Sequence, residues 1–269
     1  MSGHDAMNDH FVPEDERQPA IPAATLVIFR DSPDGGAPDL LMVERAKAMA
    51  FAGGAMVFPG GRIDPGDHAL ADMLGAGADD DGDAAARIAA VRETIEEAGL
   101  PVGLAAAPDA ARFAALRGAL HGGVPFAQAL ADAGATLDLD QLVPFARWRP
   151  AHRNMRIFDT RFYLARLPDD APRATVDATE NVRVVWATAR SVLDDADAGR
   201  LSIIFPTRRN LERLAQFDSF EAAARHARAL PQRIVTPWPE IRGGVPHLCI
   251  PDDLGYPVTS EALAQVKRA

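Results

Sequence analysis

Between residues 83 and 99 the apolar positions recur at the helical period. Placed at 100° steps, Ala84, Ile88, Val91, Ile95 and Ala98 share one stripe, while Glu93, Glu96 and Glu97 fall on the opposite side. Asp83 reads as the N-cap, the alanines after it as strong helix formers, Gly99 as the left-handed residue that ends the helix, and Pro101 as a block to its continuation. Strand patterns precede it at 21–30, at 40–45 across a turn at 31–36, and at Met56-Val57-Phe58, which Pro59 stops. Strands are predicted again near 158–165 and 182–186, with helices at 108–119, 126–133, 189–198, 206–215 and 220–230. The last two helices show charged faces that should point outward. Beyond them come several prolines, Gly243-Gly244 and short extended runs such as Leu248-Cys249-Ile250. No internal repeat is visible.

The acidic side of the 83–99 helix is unfavourable as it stands. Glu93 and Glu97, four residues apart, repel by about 0.2–0.5 kcal/mol. Glu96 and Glu97 occupy the last turn, where a negative charge opposes the helix dipole by about 0.3–1 kcal/mol each. Arg92 is the cation in register, and it reaches Glu96 in the less favourable order. Two readings are open: a solvated charged face, or a seat for a divalent cation. Phe58-Pro59-Gly60-Gly61 lies just upstream, and its glycines allow backbone to approach a ligand closely. By itself such a pair after a strand is only a turn. Residues 62–67 read as a further turn carrying Asp64 and Asp67.

Loop and helix together resemble the signature of the Nudix hydrolases: Gly, five residues, Glu, seven residues, Arg-Glu, an aliphatic residue, any residue, Glu-Glu, any residue, Gly, an aliphatic residue. Gly61, Arg92, Glu93, Glu96, Glu97, Gly99 and Leu100 match. Asp67 replaces the first Glu, and Thr94 stands where an aliphatic residue is usual. Residues 68–91, 24 in all, occupy the space meant for seven. Much of the excess, about 71–82, is rich in Gly and Asp and reads as a solvated loop that leaves its ends close together. It lacks the alternating ligands of a calcium loop. A split signature resembles the branch that holds the peroxisomal coenzyme A diphosphatases and their bacterial relatives. The coenzyme A signature upstream is half present: Leu41, Arg45 and Gly54 match, but Ala50 and Ala52 replace its second Arg and its His.

The resemblance implies an α/β fold of the α+β type, a Nudix-like α/β/α sandwich with a mixed sheet, a helical insertion and C-terminal helices. It implies a metal-dependent diphosphatase. Magnesium or manganese would be held by Glu93, Glu96, Glu97 and the Gly61 carbonyl. Arg92 would hold the carboxylates, and Glu96, Glu97 or Glu180 would take the proton of the attacking water. Glu180 precedes a strand that ends in Trp186, where many Nudix enzymes place such a carboxylate. Arg45, Gly60 and Arg161 are the candidate substrate contacts, since arginine suits phosphate oxygens. Arg149, Arg153 and Arg156 could also contact phosphates, although most of these arginines read as surface charges, and His152, without metal-ligand spacing, reads as a substrate or surface residue. Coenzyme A or an acyl-coenzyme A is the expected substrate. ADP-ribose, NADH and dinucleoside polyphosphates are alternatives within the chemistry, and a nucleotide-binding module without turnover is an alternative outside it.

The rest narrows these readings. The chain of 269 residues is 48% hydrophobic and 25% charged, an ordinary soluble composition with enough for a sizeable core. Its net charge of −10 disfavours duplex nucleic acid and anionic membranes, so a polyphosphate needs local cations. One cysteine, Cys249, excludes an internal disulfide. No run is long enough to span a bilayer, and no signal-peptide pattern opens the chain, so a cytoplasmic location is expected. The expected organisation is a polar tail at 1–20, a Nudix domain at 21–215 with insertions at about 68–84 and 103–140, and a C-terminal helix and extended tail at 216–269 packed on it. The second insertion is expected to wall the substrate cleft. A homodimer is left open.

Overall fold

The computed structural model describes residues 19–32, 35–49, 52–76, 81–150, 156–176 and 181–266. Glu180, His152, Arg153, most of the N-terminal tail and residues 77–80 of the acidic loop lie outside the described residues, with the expectations that rest on them. Eight strands form one mixed sheet: β1 (Ile21–Arg30), β2 (Asp39–Arg45), β3 (Met56–Val57), β4 (Gly60–Arg62), β5 (Val143–Trp148), β6 (Phe158–Arg166), β7 (Asn181–Thr188) and β8 (Ile234–Val235). Their order is β3-β2-β1-β6-β5-β8, with β4 also beside β1 and β7 beside β2. The central pair, β1 and β6, is parallel and in register from Ile21↔Phe158 to Phe29↔Arg166.

Both faces of the sheet are covered, and the period of two along each strand explains how. In β1, Ala24, Leu26 and Ile28 enter one core, while Val27 and Phe29 enter the other. In β6, Tyr163 and Ala165 take the first side, and Phe162 and Leu164 the second. Helices α1 (Pro65–Met73), α2 (Asp83–Ala98), α3 (Ala110–His121) and α4 (Phe126–Ala133) close the first core. Helices α5 (Ala189–Asp197), α6 (Phe205–Leu214), α7 (Phe220–Arg228) and the stretch 250–256 close the second. The expected α/β/α sandwich with a mixed sheet is therefore present. A separate antiparallel sheet, β9 (Trp238–Arg242), β10 (Val245–Cys249) and β11 (Ser260–Ala262), leads to a short helix, α8 (Leu263–Val266). No helix among the described residues is long and apolar enough to cross a membrane.

One irregularity of the sheet positions the site. The edge of β1 is divided: Phe29 and Arg30 pair with β2, but Ala23, Ala24 and Thr25 pair with Arg62, Gly61 and Gly60 of β4. The Gly60-Gly61 turn is thus stitched onto the central strand, directly under the helix that carries the glutamates.

Three local expectations need correction. Residues 64–67 do not form a turn but open α1. Asp64 takes the N-cap position, Pro65 the first helical position where its missing N–H is harmless, and Asp67 accepts the Asp64 N–H at 2.8 Å. Leu70 and Ala71 of this helix are buried, so the inserted segment is packed at its start. At its far end Asp81 binds two arginines, so the excursion is anchored on both sides. Gly82, at φ 75°, caps α2, and Asp83 is its first helical residue. Finally, α6 turns charge inward: Thr207, Arg209, Asn210 and Arg213 are all buried. Arg209 achieves this through Glu212 at 3.0 Å and Glu261 at 2.9 Å.

Candidate active site

Helix α2 is not an amphipathic surface helix. Ala85, Ala89, Ala90, Arg92, Thr94 and Glu97 are buried along with its apolar stripe, because α1 and α3 pack beside it above the sheet. Its small residues permit that close approach. Glu97 is therefore buried and Glu93 and Glu96 half-buried, rather than all three lying on a solvated face. Gly99, at φ 64°, ends the helix as expected, its N–H donating to the Ile95 carbonyl at 3.1 Å.

Two glutamates meet the glycine turn. The Gly60 N–H donates to Glu97 Oε2 at 2.9 Å. Glu93 rests against Gly61 so closely that a Cβ there would lie 2.3 Å from Glu93 Oε1 and 2.4 Å from its Cδ. Gly60 is equally confined, since its Cβ would meet the Ala24 carbonyl oxygen at 2.3 Å. Both glycines are required by space: any side chain would displace the carboxylate or the central strand.

Arg92 organises the acids. Its Nε and Nη2 donate to the two carboxylate oxygens of Asp67 at 3.1 and 3.0 Å, a bidentate pair in which Asp67 is 1% exposed. Nη1 reaches Glu93 at 2.8 Å and Glu96 at 3.4 Å, and Nη2 also donates to the Arg62 carbonyl at 2.9 Å. Burial alone would lower the pKa of this guanidinium, but Asp67 and Glu93 outweigh it, and Arg92 is held firmly charged. Asp67 and Arg92 thus join the start of α1 to the last turns of α2, across residues 68–91.

Glu93 is the strained member. Burial chiefly pushes its carboxyl up to about 8; Arg92 pulls it down, and Glu97 and Glu96 push it further up. A carboxyl so placed gains most from a nearby cation. The donors here are hard oxygens, the class magnesium and manganese prefer, so the residues fit such an ion. Among the described residues no three acidic, histidine or cysteine side chains already stand together as a coordination shell.

The far end of α2 is held by residues the sequence pattern does not reveal. Arg117, on α3, donates from Nε and Nη2 to the Glu96 carbonyl at 3.0 and 2.9 Å, and His121 Nε2 lies 3.1 Å from the same oxygen. Arg117 also donates to Thr175 Oγ1 at 2.6 Å and to its carbonyl at 2.8 Å, while the Thr175 N–H donates to the Ala98 carbonyl at 2.9 Å. Arg92 is therefore not the only cation serving this helix, since Arg117 of α3 caps its negative end. Gly99 gave a hint: a Cβ there would lie 2.6 Å from Arg117 Nη1.

The remaining candidates are placed apart. Arg45 ends β2 opposite Asn181, the residue after Glu180, and its N–H donates to the Ala55 carbonyl at 3.0 Å. Arg161 lies on β6 across from Arg147, and both bind the Asp81 carboxylate, at 2.8 and 2.7 Å. Arg161 is also 3.8 Å from Asp83, at the opposite end of α2 from Glu97. The structure thus gathers Gly60, Gly61, Arg92, Glu93, Glu96 and Glu97, and leaves Arg161 at the start of the helix.

No protein-family model matches the chain. Over 220 residues it is 26% identical to a Caenorhabditis elegans protein named "Putative nudix hydrolase 7", a match spanning 81% of this chain and 69% of that one. It is 31% identical to a Nudix hydrolase from Alicyclobacillus acidocaldarius whose crystal structure superposes with a TM-score of 0.63, covering 77% of this chain and 96% of the other. With that identity over nearly the whole of a structurally matched relative, the chain belongs to the Nudix hydrolase superfamily.

Proposed function

We propose that this chain is a metal-dependent diphosphatase acting on a nucleoside-diphosphate-linked small molecule, with coenzyme A or an acyl-coenzyme A as its substrate. The observation that carries the chemistry is the seat of Glu93 and Glu97 on the Gly60-Gly61 turn, with Arg92 behind them. Glu93, Glu96, Glu97 and the Gly61 carbonyl would hold magnesium or manganese, which supplies charge neutralisation at the diphosphate and acidifies the attacking water. Arg92 fixes the carboxylates in place and limits their repulsion. Glu96, Glu97 or Glu180 takes the proton of that water. Arg45 and Gly60 are assigned to substrate contact, whereas Arg161, held by Asp81 at the start of α2, is set aside from that role.

The bond broken is the P–O–P anhydride. Water oxygen joins one phosphorus, and the other phosphate leaves with the bridging oxygen. From coenzyme A the products are phosphopantetheine and adenosine 3′,5′-bisphosphate. The substrate assignment rests on the 24-residue spacing inside the signature and on the partial upstream match at Leu41, Arg45 and Gly54.

The test is a chromatographic panel. Coenzyme A, acetyl-coenzyme A, ADP-ribose, NADH and diadenosine tetraphosphate are each incubated with the protein and magnesium or manganese. Coenzyme A and its acyl ester should give the highest kcat/KM. A higher value for another compound would replace the substrate and keep the chemistry. No cleavage of any, with tight nucleotide binding, would make the chain a binding module.

A further inference from the structure

Helix α6 meets the small C-terminal sheet through a group of charges that does not balance. Arg209 is 2% exposed; its Nη2 donates to Glu261 Oε2 of β11 at 2.9 Å and lies 3.0 Å from Glu212 Oε1 on its own helix. Nη1 donates to the Val258 carbonyl at 3.3 Å, and the guanidinium lies 5.1 Å from the centroid of the Phe205 ring. Arg208 is paired with Asp197, at the end of α5, at 2.8 Å. Two cations thus face three carboxylates.

Glu212 is the carboxylate in excess. Its Oε2 is buried and has no hydrogen-bond partner among the described residues. A negative charge on that oxygen goes unanswered, and a proton removes it. The groups facing Glu212 are Arg208 and Arg209 from α6, Glu261 from β11 and Asp197 from α5. Burial chiefly pushes its carboxyl up to about 7; the two arginines pull it down, and Glu261 and Asp197 push it further up.

With Glu212 neutral, Arg209 and Glu261 form a one-to-one pair. With Glu212 ionised, two carboxylates share one nitrogen. We propose that the joint between α6 and β11 is a proton-operated latch, in which ionised Glu212 competes with Glu261 for Nη2 of Arg209 and lets residues 258–262 open away from α6. Glu261 is the partner released, because it belongs to a three-residue strand at the edge of its sheet, whereas Glu212 is fixed one turn from Arg209 on the same helix. The raised folded pKa sets the sign: the latch is fully closed below about 4.5 and loosens as pH rises through about 7. Leu248, Cys249 and Ile250 are buried and keep the neighbouring strand in place, so the opening is local.

Amide hydrogen exchange of the whole chain tests it, read at pH 6 and pH 8 and corrected for the intrinsic exchange rate. Amides of β1 in the same samples account for any change in global stability. Protection of residues 258–262 should be lower at pH 8 by up to about tenfold, the full factor that a carboxyl moved from 4.5 to about 7 gives over that range. Glu212→Gln should show the same protection at both pH values. Equal protection at the two pH values in the unaltered protein, or an undiminished loss in Glu212→Gln, would overturn the proposal. If Glu212→Gln does not fold, Glu261→Gln takes its place: with one carboxylate left for Arg209, the pH dependence should flatten, and a loss matching that of the unaltered protein would overturn the proposal equally.

Discussion

Arg117 places two N–H groups on the carbonyl oxygen of Glu96, at 3.0 and 2.9 Å, from a helix that begins more than ten residues after the glutamate helix ends. A cation at a helix C-terminus offsets the dipole that would otherwise disfavour ionised Glu96 and Glu97. It also fixes where the last turn lies over the Gly60-Gly61 turn. Arg117→Met should therefore act twice. Loss of charge-assisted hydrogen bonds should lower stability by about 1.5–3 kcal/mol. Movement of the last turn should lower kcat by about tenfold, or roughly 1.4 kcal/mol of transition-state stabilisation. Urea denaturation and steady-state kinetics on the compound cleaved in the panel check the two effects separately. An unchanged kcat in a destabilised variant would reduce Arg117 to a structural cap.

Asp67 and Arg92 are coupled more tightly. Asp67 is 1% exposed and meets the guanidinium bidentately, so removing it leaves a buried cation with a lost partner. Asp67→Ala should cost about 3–5 kcal/mol in a denaturant titration. Asp64→Ala is the contrast, because Asp64 is 3.7 Å from Arg92 and largely exposed. Its effect should be the loss of an N-cap and a weak exposed pair, about 0.5–2 kcal/mol and below that of Asp67→Ala. Equal losses at the two positions would show that the insertion is closed by something other than Asp67.

The difference between these two aspartates illustrates what the chain discloses before it folds. Strands at 21–30 and 40–45 and the helix at 83–98 follow from periodicity, since each must bury one side or both. Gly61 and Glu93 are linked in the sequence only by the resemblance to the Nudix signature, which implies that both are metal ligands. Arg117 does not, because a guanidinium on a later helix leaves no local trace except the need for Gly99. Nor do Arg209 and Arg213: a pattern rule sends arginines outward, and only tertiary pairing with Glu261 or the ring of Phe145 brings them in. Helix α1 was hidden by its own start signal, because Asp64-Pro65-Gly66-Asp67 is turn chemistry and capping chemistry alike.

Gly61 offers a test of space alone. Gly61→Ala would put a methyl 2.3 Å from Glu93 Oε1, so the carboxylate must move. A displacement of about 1 Å at a reacting centre costs on the order of 10²-fold in rate, so kcat should fall by that much while the protein stays folded. Gly66→Ala is the control: nothing lies within 4 Å of its Cβ, and it sits in the first turn of α1. There the loss of a flexible residue from the unfolded chain should raise stability by about 0.4–1 kcal/mol and leave kcat unchanged. Circular dichroism melting and turnover assays of both variants distinguish the cases. Full activity in Gly61→Ala would separate Glu93 from the chemistry.

Glu93 links ion binding to protons. Its carboxyl is pushed up to about 8 in the folded protein, first by burial and then by Glu97 and Glu96, against an ordinary value of 4.5. A raised folded pKa contributes stability that is fully present below about 4.5 and is lost as pH rises through about 8. The metal-free protein should therefore lose stability across that window, and Glu93→Gln should flatten the loss. A carboxyl shifted in this direction holds its proton to higher pH than a free glutamate, and a divalent ion must expel that proton to use the oxygen. Magnesium titrations by calorimetry in buffers of different ionisation enthalpy should then report net proton release on binding. The Glu93→Gln variant should release almost none. Binding without proton release in the unaltered protein would mean that the ion sits elsewhere, and Glu93 would have to be explained by its ion pair with Arg92 alone.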